Sequence, residues 1–395
     1  MSQQMRIAVL FQGVFPSPSG LGGGQRRMRD LSKSLSLQCE ELIILVPEWN
    51  NKSIENPDKE FFKVVILEGG RSKGIPFLNR LNYAKRAELF IKKNKIDTVL
   101  FYNNSAEIFF LKKKLKKKGL TILYEQCDLP SSSNSGLRKI YLELAEKYLP
   151  LHSDLNIGIS NFLIKELTKN APEIPTVKIP VLVDREVFFS DEVLAQQTRQ
   201  KYGIKEDDVL IGYAGGTWKD EGLALLLKVV RELRFKFDNL KIIIAGKLIK
   251  SDVHDDIRKI TEEYELQECC FLPGWVGTHD VKGILSASDI LVLPQLKNQF
   301  NVAGLPTKVA EYSALGKAIV ISEIGDIALY FKDGKNCLLS IPSDFDSLYK
   351  NLIRLIANGA LRNRLGEDAK HVAQDIFDYK NAGKKIVKAL NDVRP

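Results

Sequence analysis

No apolar run in this chain reaches the roughly 18 residues that a membrane-spanning helix needs, and Met1-Ser2-Gln3-Gln4-Met5-Arg6 has no signal-peptide pattern. An integral membrane protein and a secreted one are therefore not expected. Cysteine is sparse: Cys39, Cys127, Cys269, Cys270 and Cys337 are odd in number, scattered and without metal-ligand spacing. Reduced thiols in a cytoplasmic protein are the expectation. The four histidines, His152, His254, His279 and His371, form no cluster, so no metal site is expected. No glycine loop ends in Gly-Lys-Ser/Thr and no Gly-x-Ser-x-Gly elbow occurs, which argues against Walker-type nucleotidases and serine hydrolases.

The chain has 395 residues, enough for two domains that each bury a core. Its net charge of +9 favours anionic partners. Much of that charge lies in Lys112, Lys113, Lys114, Lys116, Lys117 and Lys118. One reading is a solvated helix face whose lysines suit a helix C-terminus. The other is an electrostatic foot on anionic lipid, which makes the protein peripheral on the inner face of a membrane. Apolar Ile108, Phe109, Phe110 and Leu111 precede the run, and no aromatic residues interleave with it. Nucleic acid is therefore not expected as a partner.

Apolar runs alternate with helical patterns. Strands are expected at Arg6–Phe11, Glu41–Val46, Lys63–Leu67, Thr98–Tyr102, Thr121–Glu125, Asp154–Ile159 and Thr176–Ile179. Helices are expected between most of them, including Gln25–Leu37, Ala106–Lys118 and Leu137–Tyr148. Val181–Asp208 has no clear period and reads as a linker. A second series follows, with strands at Val209–Ala214, Leu240–Ala245, Cys270–Leu272, Ile290–Leu293 and Ala318–Ser322 and helices including Asp252–Tyr264 and Thr307–Leu315. Runs rather than strict alternation indicate strands buried on both faces, hence parallel sheets. The fold class is α/β, with two doubly wound Rossmann-like domains facing a cleft. The expected boundaries are 1–183, 184–375 and a final helix from 376 to 395. Loops after strands are then the first places to look for ligand contacts.

Four such loops stand out. After strand Ile290–Leu293, a polar stretch leads to Gly304, Leu305, Pro306, Thr307, Lys308 and Glu311. A helix opening near Pro306 offers first-turn amides to a diphosphate, and Glu311 suits a vicinal diol such as ribose. Lys308 opposes the helix dipole there, which makes sense if an anion offsets it. After Val209–Ala214 come Gly215, Gly216, Thr217 and Lys219, a small-residue loop with a hydroxyl and a charge for phosphate. After the first strand, Gly20 to Gly24 resemble a dinucleotide fingerprint, but Gln25 stands at the third glycine position. A nicotinamide-dependent oxidoreductase is an alternative on that loop. A closing loop built on Gly22, Gly23 and Gly24 fits equally well. Finally, Glu125 and Asp128 end a strand, where either carboxylate could bind a sugar hydroxyl or act as a base, or cap the next segment.

Several segments together resemble the GT-B glycosyltransferases, specifically retaining family 4, over nearly the whole chain. They are Phe271-Leu272-Pro273-Gly274-Trp275-Val276, Ala287-Ser288-Asp289-Ile290-Leu291-Val292-Leu293-Pro294 and Pro306-Thr307-Lys308-Val309-Ala310-Glu311-Tyr312 through Ala314-Leu315-Gly316-Lys317. Ser153-Asp154-Leu155-Asn156 and Pro180-Val181-Leu182-Val183-Asp184 are similar to the family's interdomain approach. The resemblance implies metal-independent sugar transfer, without a cofactor, from a nucleoside diphosphate sugar (a UDP-sugar first) to a sugar, glycolipid or other hydroxyl acceptor in surface polysaccharide or glycolipid biosynthesis. It implies a donor site on Gly215, Gly216, Thr217, Gly304, Leu305, Pro306, Thr307 and Glu311. Lys219, Lys308 and Asn301 are the expected catalytic groups, and the acceptor side falls to Gly22, Gly23, Gly24, Glu125 and Asp128. Three positions depart from the family pattern: Ala303 stands for a glutamate, Gly216 for an arginine and Glu221 for a lysine. A nucleotide-sugar epimerase and a non-catalytic nucleotide-sugar-binding protein are the alternatives on this fold.

Overall fold

Strands rich in Val, Ile and Leu on both faces need helices on both sides, and the computed structural model supplies them. It describes residues 5–13, 15, 22–48, 56–67, 76–103, 107–117, 119–247 and 256–393. Lys118, the glycine-loop residues 16–21 and the start of the helix expected from Asp252 lie outside the described residues, as does the side chain of Lys113. The chain divides into two compact units: Met1–Leu182 with Tyr379–Pro395, and Val183–Asp378.

The first unit holds seven strands: β1 (Arg6–Leu10), β2 (Glu41–Pro47), β3 (Lys63–Leu67), β4 (Thr98–Tyr102), β5 (Thr121–Gln126), β6 (Leu155–Gly158) and β7 (Thr176–Lys178). They lie in the order β3-β2-β1-β4-β5-β6-β7, every pair parallel. The second unit holds β8 (Val209–Ala214), β9 (Leu240–Ala245), β10 (Cys270–Gly274), β11 (Ile290–Leu293), β12 (Ala318–Ser322) and β13 (Leu338–Ser340). Their order is β10-β9-β8-β11-β12-β13, again all parallel. Each order reverses once, between β1 and β4 and between β8 and β11, and such switch points are where doubly wound sheets open a crevice for ligands.

The same device fixes register at both switch points. Asp97, just before β4, accepts the Arg6 amide of β1 at 2.7 Å. Asp289, just before β11, accepts the Leu210 amide of β8 at 2.7 Å. Asp154 does likewise for Ile122 of β5, at 2.8 Å. A one-residue slip would strand each carboxylate.

The expected strands form, with ends moved by no more than two residues. The stretch read as a linker does not stay irregular. Glu192–Lys201 is a helix, N-capped by Asp191, whose Oδ1 accepts the Leu194 amide at 3.1 Å. It has no buried residue. Polar bonds hold it: Arg199 donates to Ala287 O at 3.0 Å and to Asp208 O at 2.7 Å. Without an apolar stripe, periodicity had nothing to register. β13 escaped notice because it is three residues long.

In the first unit the helix Gly23–Ser36 lies against the helix Ala382–Val393. The Gly383 amide donates to Ser34 Oγ at 2.6 Å. Arg27 on the former helix is buried, and its Nε donates to Glu125 Oε1 of β5 at 2.9 Å. Its Nη2 donates to Ile179 O at 2.9 Å and its Nη1 to Pro180 O. Burial pushes the Glu125 carboxyl above its ordinary range against the pull of Arg27. Among the described residues no helix is long and apolar enough to cross a membrane.

Arg27→Leu would leave the Glu125 charge buried without its partner, so we expect a loss of about 3–5 kcal/mol near neutral pH. A carboxyl whose folded pKa is raised contributes stability below its unfolded pKa that is lost as pH rises through the folded one. The variant raises that pKa further, so its deficit should be smaller near about pH 5 than near about pH 8. Urea unfolding at both pH values reads this, and equal deficits would contradict the ion-pair account.

Candidate donor site at the second switch point

The loops leaving β8 and β11 are sewn together. The Asp220 carbonyl accepts from the Leu296 amide at 3.0 Å and from Asn301 Nδ2 at 3.0 Å. The same Nδ2 donates to Leu296 O at 2.8 Å, while Asn301 Oδ1 takes Gln295 Nε2 at 3.3 Å. Asn301 is thus spent on positioning the loops, with both polar ends engaged inside the protein. Asn298 caps the short helix Gln299–Ala303 by accepting the Asn301 amide at 2.8 Å. Gly222 turns the first loop into the helix Leu223–Arg234 with φ 73°, and a Cβ there would stand 1.9 Å from Pro294 O. Only glycine meets both conditions.

Pro306 is the N-cap of the helix Thr307–Leu315, so Thr307 and Lys308 form its first turn, where backbone amides lack intrahelical acceptors. Lys308 takes its partner from the loop after β8. Its Nζ lies 2.7 Å from Glu221 Oε1, both side chains being largely buried. The anion that offsets Lys308 is therefore a carboxylate from the other loop. Gly215 makes room for it: a Cβ at Gly215 would stand 2.0 Å from Lys308 Cε. The Lys308 ammonium also sits 5.2 Å from the Tyr213 ring centroid. Burial, then Glu221, pushes the Tyr213 phenol well above its ordinary range, so it stays a neutral donor to Gly216 O at 2.6 Å. Glu221 Oε2 is buried and has no hydrogen-bond partner among the described residues.

Around this pair, Thr217 is buried and its hydroxyl donates to Lys247 O at 2.8 Å. Lys219 is exposed at the start of the turn Lys219–Glu221. Gly304 and buried Leu305 lead into Pro306. Glu311 is buried on the same helix as Lys308, and the next residue, Tyr312, accepts the Ala214 amide of β8 at 3.1 Å. Gly215, Gly216, Lys308 and Glu221 are thus brought together, and Asn301 fixes the loops that hold them. Sequence reasoning did not foresee Tyr213, Asp220 or the pairing role of Glu221.

In the first unit, Gly22 is the N-cap of Gly23–Ser36, its amide bonded to Gln25 Oε1 at 2.7 Å. Gly24 O accepts from Tyr102 Oη at 2.7 Å. Glu125 is wholly buried, so it is an internal strut to Arg27 and not a group presented to an acceptor. Asp128 is partly buried, bonded to Asn103 Nδ2 at 2.9 Å, and burial raises its carboxyl above the usual range. The lysine run is part of a charged network: Lys112 lies 3.0 Å from His152 Nδ1, Lys114 2.6 Å from Glu88 and Lys116 2.9 Å from Asp154.

Residues 195–372 match the family described as Glycosyl transferases group 1. The matched segment lies within the second unit. Both sewn loops, Lys308 and Glu311 lie inside that segment. The chain is 24% identical over 200 residues to the lipopolysaccharide 1,2-N-acetylglucosaminetransferase of Salmonella typhimurium, covering 49% of this chain and about half (51%) of that relative. It is 22% identical over 387 residues to an uncharacterized glycosyltransferase of Methanocaldococcus jannaschii, covering 93% of this chain and 94% of the relative. Its fold is similar to sucrose-phosphate synthase from Thermosynechococcus elongatus, with a TM-score of 0.81 at 15% identity over 98% of this chain and 99% of that one. It is also similar to Anabaena HepE, solved in complex with UDP-glucose, with a TM-score of 0.76 at 13% identity over 98% and 100%. The two Rossmann-like units share the GT-B fold of these neighbours.

Replacing Gly222 by alanine should lower stability by about 2 kcal/mol through the left-handed backbone and the clash with Pro294 O. Chemical unfolding of the variant checks this, and an unchanged midpoint would mean that the two loops are not locked at Gly222.

Proposed function

We propose that this protein is a retaining glycosyltransferase that moves a sugar from a nucleoside diphosphate sugar, a UDP-sugar first, to a hydroxyl acceptor in surface polysaccharide or glycolipid assembly. The observation that carries this reading is Lys308, held at a helix start beside the Gly215 loop, with Glu311 buried one turn further on. As the glycosidic bond breaks, negative charge builds on the leaving diphosphate. The first-turn amides at Thr307 and Lys308, with the ammonium groups of Lys308 and Lys219, would stabilise it. Glu311 would take the two ribose hydroxyls. A leaving phosphate oxygen would accept the acceptor's proton on the same face, so neither a metal nor a protein base is required.

Two kinds of relative support the reading. One is named as a lipopolysaccharide N-acetylglucosaminetransferase, and another protein of this fold was solved with UDP-glucose. We place the activity at the inner, anionic face of a cell membrane, with the lysine run supplying positive charge.

A second reading, nucleotide-sugar binding without turnover, has one observation in its favour. Glu221 already neutralises Lys308, and Gly216 and Ala303 bring no charge to the site.

Glu311→Ala should weaken binding of the donor nucleotide by about 1–3 kcal/mol, the scale of charged hydrogen bonds. Calorimetric titration measures the loss, and undiminished affinity would remove the ribose assignment. Incubating the wild type with a nucleotide-sugar panel in chelator separates the two readings: nucleotide release coupled to a new glycoside supports transfer, and binding without release supports the second.

A further inference from the structure

We propose that the outer face of the helix Gly136–Tyr148 is a docking surface that inserts into an anionic lipid bilayer. This deepens the membrane placement, on which it rests, but not the transferase chemistry, because its test reads no sugar transfer.

The helix is apolar on two sides. Leu142 and Ala145 are buried on one side. On the other stand Leu137, Ile140, Tyr141, Leu144 and Tyr148, at relative exposures of 86%, 54%, 44%, 49% and 42%. At 3.6 residues per turn these five fall within a stripe about 100° wide. A helix apolar on both faces is normally covered on both, and here the second face is left to solvent. Exposed apolar patches of this kind mark interaction sites.

Charge decides the occupant. Residues 76–152 contain 15 Lys and Arg against 7 Asp and Glu, a net +8 of the chain's +9. Arg138, Lys139 and Lys147 lie on the helix itself and are exposed. Of its two carboxylates, Glu146 is buried and accepts from Ser131 Oγ at 2.6 Å, and Glu143 faces Lys139 at 3.8 Å. The stripe continues past the helix through exposed Leu151 to His152, whose ring meets half-exposed Phe109 at 5.2 Å and Lys112 at 3.0 Å. The lysine-rich helix Glu107–Lys116 thus adjoins the apolar stripe. Apolar side chains rimmed by lysine and arginine are the composition that settles at an anionic headgroup boundary. The lysines supply attraction and the stripe supplies insertion.

The test is sedimentation of the full chain with phosphatidylcholine vesicles, alone or carrying about one third phosphatidylglycerol. We expect binding to the anionic vesicles only, weakened by salt, and roughly tenfold or more weaker in the double variant Leu137→Ser, Leu144→Ser. As a second reading, Leu137→Trp should gain fluorescence quenching from brominated acyl chains over the wild type. Four results would overturn the proposal: no binding by the wild type, equal binding to neutral vesicles, an undiminished double variant, or no added quenching. A wild-type dimer abolished by the same double variant would assign the face to a second copy and overturn it as well.

Discussion

The Lys308–Glu221 ion pair is the contact on which the candidate site depends. A lysine in the first turn of a helix meets the positive end of the dipole, and in a largely buried setting it needs a counter-charge. Glu221 provides it from the loop after β8, and that loop is anchored to the loop after β11 by the Asp220 carbonyl and Asn301. Gly215 leaves space for the lysine stem, and Gly222 allows the close passage of Pro294. Remove the pair and the reason for this set of small residues goes with it. On the proposed function, a bound diphosphate would compete with Glu221 for the same ammonium, and the carboxylate would then set how tightly the nucleotide is held. Glu221 stands where the pattern this chain resembles has a lysine, a group of opposite sign.

The first unit solves a different problem with similar means. Its buried Arg27 binds a carboxylate on β5 and two carbonyls after β7, so one guanidinium ties a helix, a strand and the chain's exit from the sheet. Such a pair brings little net stability, because desolvation offsets much of the attraction, but it allows one arrangement only. Glu125 is thereby withdrawn into the interior.

The strands were legible because parallel sheets covered on both faces write themselves as apolar runs. The loops after β8 and β11 were legible because glycines, a proline and a lysine cluster at strand ends. What did not show is what depends on distant partners. Lys308 and Glu221 are 87 positions apart, Arg27 and Glu125 98, and no local pattern joins them. The helix Glu192–Lys201 was lost because hydrogen bonds, and not an apolar stripe, hold it. The helix Gly136–Tyr148 was found, yet its sequence could not tell which of its two apolar faces the fold would cover.

The most direct measurement is thermal unfolding of the wild type and Glu221→Gln with UDP, GDP, ADP, CMP and NAD. Saturation at a hundred times the dissociation constant adds about 2.7 kcal/mol, which is readily seen. The account predicts a shift with one nucleoside diphosphate and a larger shift at the same concentration in Glu221→Gln, where Lys308 is released to the phosphate. A shift with NAD alone, or none with any nucleotide in either protein, would contradict it.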